Sequence, residues 1–141
     1  MGDNQISDLK MKGLKFQYWF TALSAIPLGL AIVLFPEWTR KTLRWKEQDR
    51  FIMGISGSVY FAFGTLSLLG LKDPVKWSPI LLLQFLYKVT WMAGVVAVMA
   101  RRGELDMRSS ALLVSGYAAM IAGDIWAVPW GYLLGGRDPS E

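Results

Sequence analysis

Two ionisable side chains of opposite sign, Lys88 and Asp124, interrupt stretches that otherwise hold no formal charge. A charge at the centre of a bilayer costs about 2.5–3.5 kcal/mol on insertion scales, so such a residue has a partner or a task. An ammonium and a carboxylate can neutralise one another as a structural ion pair, anchor the polar head of a ligand, or act as acid and base in proton transfer. A close mutual partner keeps both charged, which argues against a relay unless a third group competes. Polar neighbours extend the constellation. Gln84 lies four residues before Lys88 and shares its helix face. Tyr117 lies seven before Asp124 and shares that one. Tyr60 and Ser56, in another segment, offer hydroxyls at comparable depth. Trp91 and Trp126 are expected deep, where their rings suit a flat apolar ligand or simply fill a core. Histidine and cysteine are both absent, which removes His-ligated haem, thiolate chemistry and the usual zinc and copper ligands. No metal site and no cofactor is implied.

The elements that carry these residues follow from where the charge is not. Phe16–Phe35, Phe51–Leu71, Pro79–Ala100 and Ser110–Leu134 hold no charge besides Lys88 and Asp124, in a chain that is 53% apolar with mean hydropathy +0.33. Each is near or above the ~20 residues that cross ~30 Å of hydrocarbon as a helix. A water-soluble helix spreads charge along one face, whereas here the charges are confined to the connections. The expected fold is all-α: one integral membrane domain over residues 1–141, a bundle of four transmembrane helices. Lys10, Lys12 and Lys15 precede an apolar run too long for a signal peptide and lacking a small-residue cleavage pattern, so the first helix is expected to be an uncleaved anchor. The net charge of +4 does not form one basic face. It flanks the spans, where anionic lipid headgroups rather than nucleic acid are the ordinary partner.

Four spans put both termini on one side, and a cell (inner) membrane is the expected location. The termini and second loop carry Lys10, Lys12, Lys15, Lys72, Lys76 and Arg137, against Arg40, Lys41, Arg44, Lys46, Arg50, Arg101, Arg102 and Arg108 on the first and third loops. The bias of Lys and Arg towards the cytoplasm favours external termini. The third and fourth helices form an antiparallel hairpin, so residues at one depth share a midpoint. That of Lys88 and Asp124 is position 106, and the loop Arg101–Ser109 centres on position 105. The two charges are therefore level to within about one residue, ~1.5 Å along the axis. Trp19, Trp38, Trp77, Trp130, Tyr18 and Tyr132 fall near helix ends, where amphipathic rings favour the headgroup zone. The first loop, with Trp38 and Trp45 among basic residues, reads either as a short interfacial helix or as a solvated basic loop. Pro27 removes a hydrogen bond to Leu23 inside the first span, and Thr21 and Ser24 are placed to satisfy the freed backbone.

Small residues recur every fourth position in the last helix: Ala111, Ser115, Ala119, Gly123, Ala127 and Gly131. Such spacing lets helix backbones approach closely and favours a right-handed crossing. Gly54, Ser58 and Ala62, Ala25 with Gly29, and Ala93 with Ala97 repeat the pattern. The stripe is expected to pack within the bundle, with a homo-oligomer or a partner membrane subunit as the alternative occupant.

Lys72-Asp73-Pro74, Pro79-Ile80 and Lys88, followed by Gly123-Asp124-Ile125-Trp126-Ala127-Val128-Pro129-Trp130, resemble a set of small uncharacterised four-helix bacterial membrane proteins. These show a D-P turn, a P-[IV] opening of the third helix with a lysine inside it, and an N-D-x-[IV]-W-x-x-P-[FW]-like ending. The likeness runs through sparse positions over about residues 54–132. Gly123 stands where that pattern has Asn, and the third helix has fewer glycines. The resemblance implies the four-helix fold and singles out Lys88, Asp124 and Trp126, with no reaction attached.

Three functions are compatible with the residues. The first is a non-catalytic accessory subunit or binder of a lipid or isoprenoid-like apolar ligand, with Lys88 and Asp124 as polar anchor. The second is a small oligomeric proton-coupled transporter, although neither an inverted repeat nor paired broken helices are evident. The third is a membrane-embedded isomerase-type enzyme with Lys88 or Asp124 as acid or base, for which no third catalytic group is at hand.

Overall fold

The computed structural model describes residues 7–135, so Arg137, counted above for orientation, lies outside the described residues. Within that range the protein is helical. Helix α1 spans Asp8–Leu34, α2 Pro36–Thr42, α3 Arg50–Lys72 and α4 Ser78–Trp91; a π-helical turn, Met92–Val96, joins α4 to α5, Ala97–Arg101; α6 spans Met107–Ala127 and α7 Trp130–Gly135. Helices α1, α3, the continuous Ser78–Arg101 rod and α6 are each long and apolar enough to cross a membrane. Their outward faces carry Phe16, Trp19, Leu23, Leu30, Phe51, Ile55, Leu83, Leu86 and Leu112, all exposed. In water such a surface would be an aggregation liability, whereas in a bilayer it is the lipid contact.

Local chemistry explains the ends. The Ser7 and Asp49 side chains accept backbone N–H bonds at the starts of α1 and α3, and Asp106 accepts from Arg108 N at the start of α6. Pro36 and Pro79 occupy first-turn positions, where a missing N–H costs nothing. Helix α6 stops at Ala127 rather than running to Leu134, because Pro129 favours extended backbone in the residue before it: Val128 has ψ 132°. The chain resumes as α7. The first loop does fold into a short helix, but α2 ends before Trp45, so Trp38 and Trp45 do not share a helical face. Trp38 is exposed and Trp45 is half-buried.

The tightest packing is between α1 and α3. At Gly29 an added Cβ would meet the Phe61 backbone and the Gly57 carbonyl, and at Gly57 it would meet Ile32. The two backbones touch because neither residue has a side chain. The seam of α3 therefore runs along Gly57 and Gly64, and the expected line Gly54, Ser58 and Ala62 is not the packed one: Ser58 and Ala62 are exposed, and a Cβ on Gly54 would meet nothing. The small stripe of α6 divides similarly. Gly123 and Ala127 pack inward, while Ala111, Ser115 and Ala119 are exposed because the stripe winds off the inner face, and Gly131 falls on α7, past the break at Val128. Thr21 and Ser24 do not serve the gap left by Pro27: Ser24 Oγ donates to Phe20 O at 2.8 Å, and Thr21 Oγ1 donates to Gln84 Oε1 at 3.2 Å.

The apolar core lies at one end. Leu14, Tyr18, Leu81 and Val128 form it, flanked by Leu71, Trp77, Trp130 and Leu133, and Tyr18 Oη donates to Pro74 O at 2.8 Å. The end with the N-terminus and second loop is thus closed by dense packing. The opposite end is not.

Candidate functional site

Lys88 Nζ lies 3.5 Å from Asp124 Oδ2, and both side chains are 1% exposed. Their surroundings are built by three helices. Lys88 Nζ donates to Gln84 Oε1 at 3.4 Å, one turn back on α4, and the same oxygen accepts from Thr21 of α1. Gln84 Nε2 donates to Ser67 Oγ of α3 at 3.4 Å, and Ser67 Oγ donates to Phe63 O at 2.8 Å. Lys88 also stands 5.8 Å from the centre of the Tyr87 ring. The lysine is therefore held by hydrogen bonding and by charge. Asp124 is not: neither carboxylate oxygen accepts a hydrogen bond, so the contact with Lys88 is a charge contact with poor bond geometry.

Gly123, beside Asp124, has a defined task. The Gln17 carboxamide fills the volume that a side chain at Gly123 would need, and Gln17 Nε2 donates to Met120 O at 3.3 Å. Thr21 and Ser67, which bond to Gln84, and Gln17, which bonds to Met120 O, surround the pair without a role assigned to them there by the sequence. Their one signal was being uncharged polar residues inside apolar spans.

The remaining candidates form a second group. Tyr117 Oη donates to Tyr60 Oη at 2.7 Å, and the Tyr117 ring meets Tyr87 and Trp91 edge-on, with centroids 6.0 and 5.3 Å apart. Tyr87 stacks on Phe63. Seven residues of α6, about 10 Å of helix, separate Tyr117 from Asp124. Tyr60 and Tyr117 therefore bond to each other instead of joining the ion pair. Ser56 is exposed and bonds back to Ile52 O at 3.4 Å. Trp126 belongs to neither group: it is 47% exposed, lies against Gly13 and lines a shallow outer groove with Phe16, Phe20 and Ala119. Trp126, two residues past Asp124 on α6, thus points outward from the bundle instead of into its core.

Above the aromatic group the bundle opens. A cleft of about 470 Å³ lies between α1 and α6, above the level where Gln17 meets Met120 and Gly123. Phe20, Ala25 and Leu28 of α1 and Leu112, Leu113 and Met120 of α6 form its walls, with Thr21, Gln84, Tyr60, Tyr87 and Tyr117 at its inner end. Thr42, Leu43, Arg44 and Trp45 from the first loop, with Arg108 and Ser109 from the start of α6, form its mouth. Phe20, Ser24 and Leu112 are exposed, so the cleft faces lipid sideways. A second chamber of about 300 Å³ adjoins it across Trp45, Tyr60 and Tyr117 and reaches Trp91 and Met99. Lys88 and Asp124 line neither; Gln84 is the link between the charges and the cleft.

The mouth depends on an unusual helix end. Arg44 N donates to Lys41 O and Trp45 N to Arg40 O, the paired bonds of a Schellman cap, which needs a left-handed residue. At the neighbouring cap, on Glu104, that residue is Gly103, at φ +68°. At the end of α2 it is Arg44, at φ 56°, which costs a side-chain-bearing residue roughly 1–2 kcal/mol. The turn folds the chain back so that Trp45 covers both chambers.

No protein-family profile matches the chain, and neither a curated protein nor a solved structure matches it. Fold and site on their own define a multi-pass membrane protein: four spanning helices, closed at one end and opened towards lipid at the other.

Proposed function

We propose that the protein binds a lipid or isoprenoid-like molecule whose apolar chain lies in the cleft between α1 and α6, and that it acts as a non-catalytic binder or accessory subunit. The cleft itself carries this reading. Its volume falls in the usual range for small-molecule sites, its walls are apolar, and a few polar groups converge at the inner end. From Arg108 to Met120 it follows about 18 Å of helix, slightly more than half of the ~30 Å hydrocarbon core, so it matches a chain drawn from one leaflet. With the first and third loops cytoplasmic, as the distribution of Lys and Arg favours, that leaflet is the inner one.

The position of the ion pair favours this reading over an isomerase. Lys88 and Asp124 do not face the cleft, which removes the contact an isomerase would need with its substrate. Among the described residues, no inverted repeat or pair of broken helices supports a carrier.

Gly116 gives the test. It lines the cleft, and an added Cβ there would meet nothing, so Gly116→Leu fills the cleft without disturbing the bundle. A diazirine-bearing fatty-chain probe should label Leu28, Leu113 and Met120 in the native protein, and Gly116→Leu should lose that labelling while unfolding no earlier. Labelling spread evenly over the outer faces, and unchanged by Gly116→Leu, would contradict the proposal.

A further inference from the structure

Resting on the reading of the cleft as a chain-binding site, we infer that its ligand is an anionic amphiphile, with a phosphate-type head held at the mouth by Arg44 and Arg108. The two arginines come from different elements, the end of α2 and the first turn of α6, yet line the same opening. Neither has a carboxylate within ion-pairing distance among the described residues, in contrast to Arg40, which is spent on Glu37 at 3.0 Å. Guanidinium groups present planar donor pairs that fit phosphate oxygens; the Ser109 hydroxyl beside them is already given to Asp106. Directly beneath them the walls turn apolar. A head that satisfies the mouth must therefore be negative, and the part attached to it must be a hydrocarbon chain.

The backbone of Arg44 is a separate observation pointing the same way. A glycine would adopt φ 56° without cost, as Gly103 does at the matching cap. Strain of this kind persists where a site requires it. What arginine adds over glycine at that position is a cation at the rim of the cleft, carried on the same turn that folds Trp45 across it.

The ligand class separates from the binding itself in one competition. Protein in nanodiscs of uncharged lipid is offered equal amounts of a lysophosphatidic acid and a monoacylglycerol of the same chain, and bound masses are read by native mass spectrometry. The native protein should prefer the phosphate head. Arg44→Gln and Arg108→Gln should each lower that preference about fivefold, and together about thirtyfold, as expected for basic residues at a lipid surface. Excess inorganic phosphate should not displace the lysolipid. Equal binding of the two lipids in the native protein, insensitive to either substitution, would overturn the anionic head and leave the chain site standing. Displacement by inorganic phosphate alone would mean a free-anion site and overturn the amphiphile. Binding of neither lipid would overturn both readings.

Discussion

Replacing Lys88 by Met keeps most of the side-chain volume and removes one half of the buried pair. Nζ and Oδ2 are 3.5 Å apart, and two unit charges at that distance attract by about 5 kcal/mol at an effective dielectric of about 20. Burying the ions costs several kcal/mol each, so the intact pair contributes little net stability. A single substitution, however, strands the other charge at a cost of about 3–5 kcal/mol. The structure ranks the two single variants. Lys88→Met leaves Asp124 with no hydrogen-bond donor at all, whereas Asp124→Leu leaves Lys88 bonded to Gln84, so Lys88→Met should be the more damaging. Lys88→Met with Asp124→Leu removes both desolvation penalties and should recover most of the loss, giving a coupling energy above about 2 kcal/mol in a double-mutant cycle. Reversible unfolding in mixed micelles, followed by tryptophan fluorescence, measures all four proteins. Losses that simply add in the double variant would refute the pairing argument.

Three further expectations follow from the packing and the caps. Gly57→Val should destabilise by at least about 1–3 kcal/mol through overpacking against Ile32, while Gly54→Val, three residues away, should be close to neutral; similar losses would place the α1–α3 seam elsewhere. Arg44→Gly should raise stability by about 1 kcal/mol through relief of the left-handed backbone, visible as a higher unfolding midpoint, and should weaken binding of anionic amphiphiles in the same protein. Hydrogen bonds from Arg108 N–H and the Ser109 hydroxyl hold the Asp106 carboxyl below its usual 3.8. A carboxyl lowered by folding adds stability above its unfolded value, and that stability is lost as pH falls through the folded value. The first turn of α6 should therefore loosen in acid below about pH 4, and Asp106→Asn, which keeps the acceptor without titrating, should remove that dependence of amide exchange.

What the sequence made legible was the part governed by solvent. Confinement of charge to the connections announces four spans, because a bilayer tolerates little else. Antiparallel register alone puts Lys88 and Asp124 at one depth, and their nitrogen and oxygen meet at 3.5 Å. The choice among packing faces was not legible. Gly54-Ser58-Ala62 and Gly57-Gly64 are equally good small-residue lines in α3, and only the partner decides between them. Nothing in Met92–Val96 signals a π turn, whose extra residue follows directly after Trp91. Tyr117 shares a helical face with Asp124 yet sits about 10 Å along the axis from it, and a hydroxyl from Tyr60 claims it. The cleft was beyond reach for the same reason: it exists where α1 and α6 fail to pack, and an absence of contact leaves no residue pattern. Arg44 gave no sign of its backbone, since the left-handed cap position belongs by habit to glycine.

The claim that the cleft holds an apolar chain is tested most directly by native mass spectrometry of the protein released from its own membrane with minimal delipidation, beside Gly116→Leu prepared identically. The native protein should retain one chain-bearing molecule after loosely held lipids are stripped, and Gly116→Leu should lack it while keeping the same thermal midpoint. Identical bound masses in the two proteins, or a native protein stripped bare under the mildest release, would contradict the account.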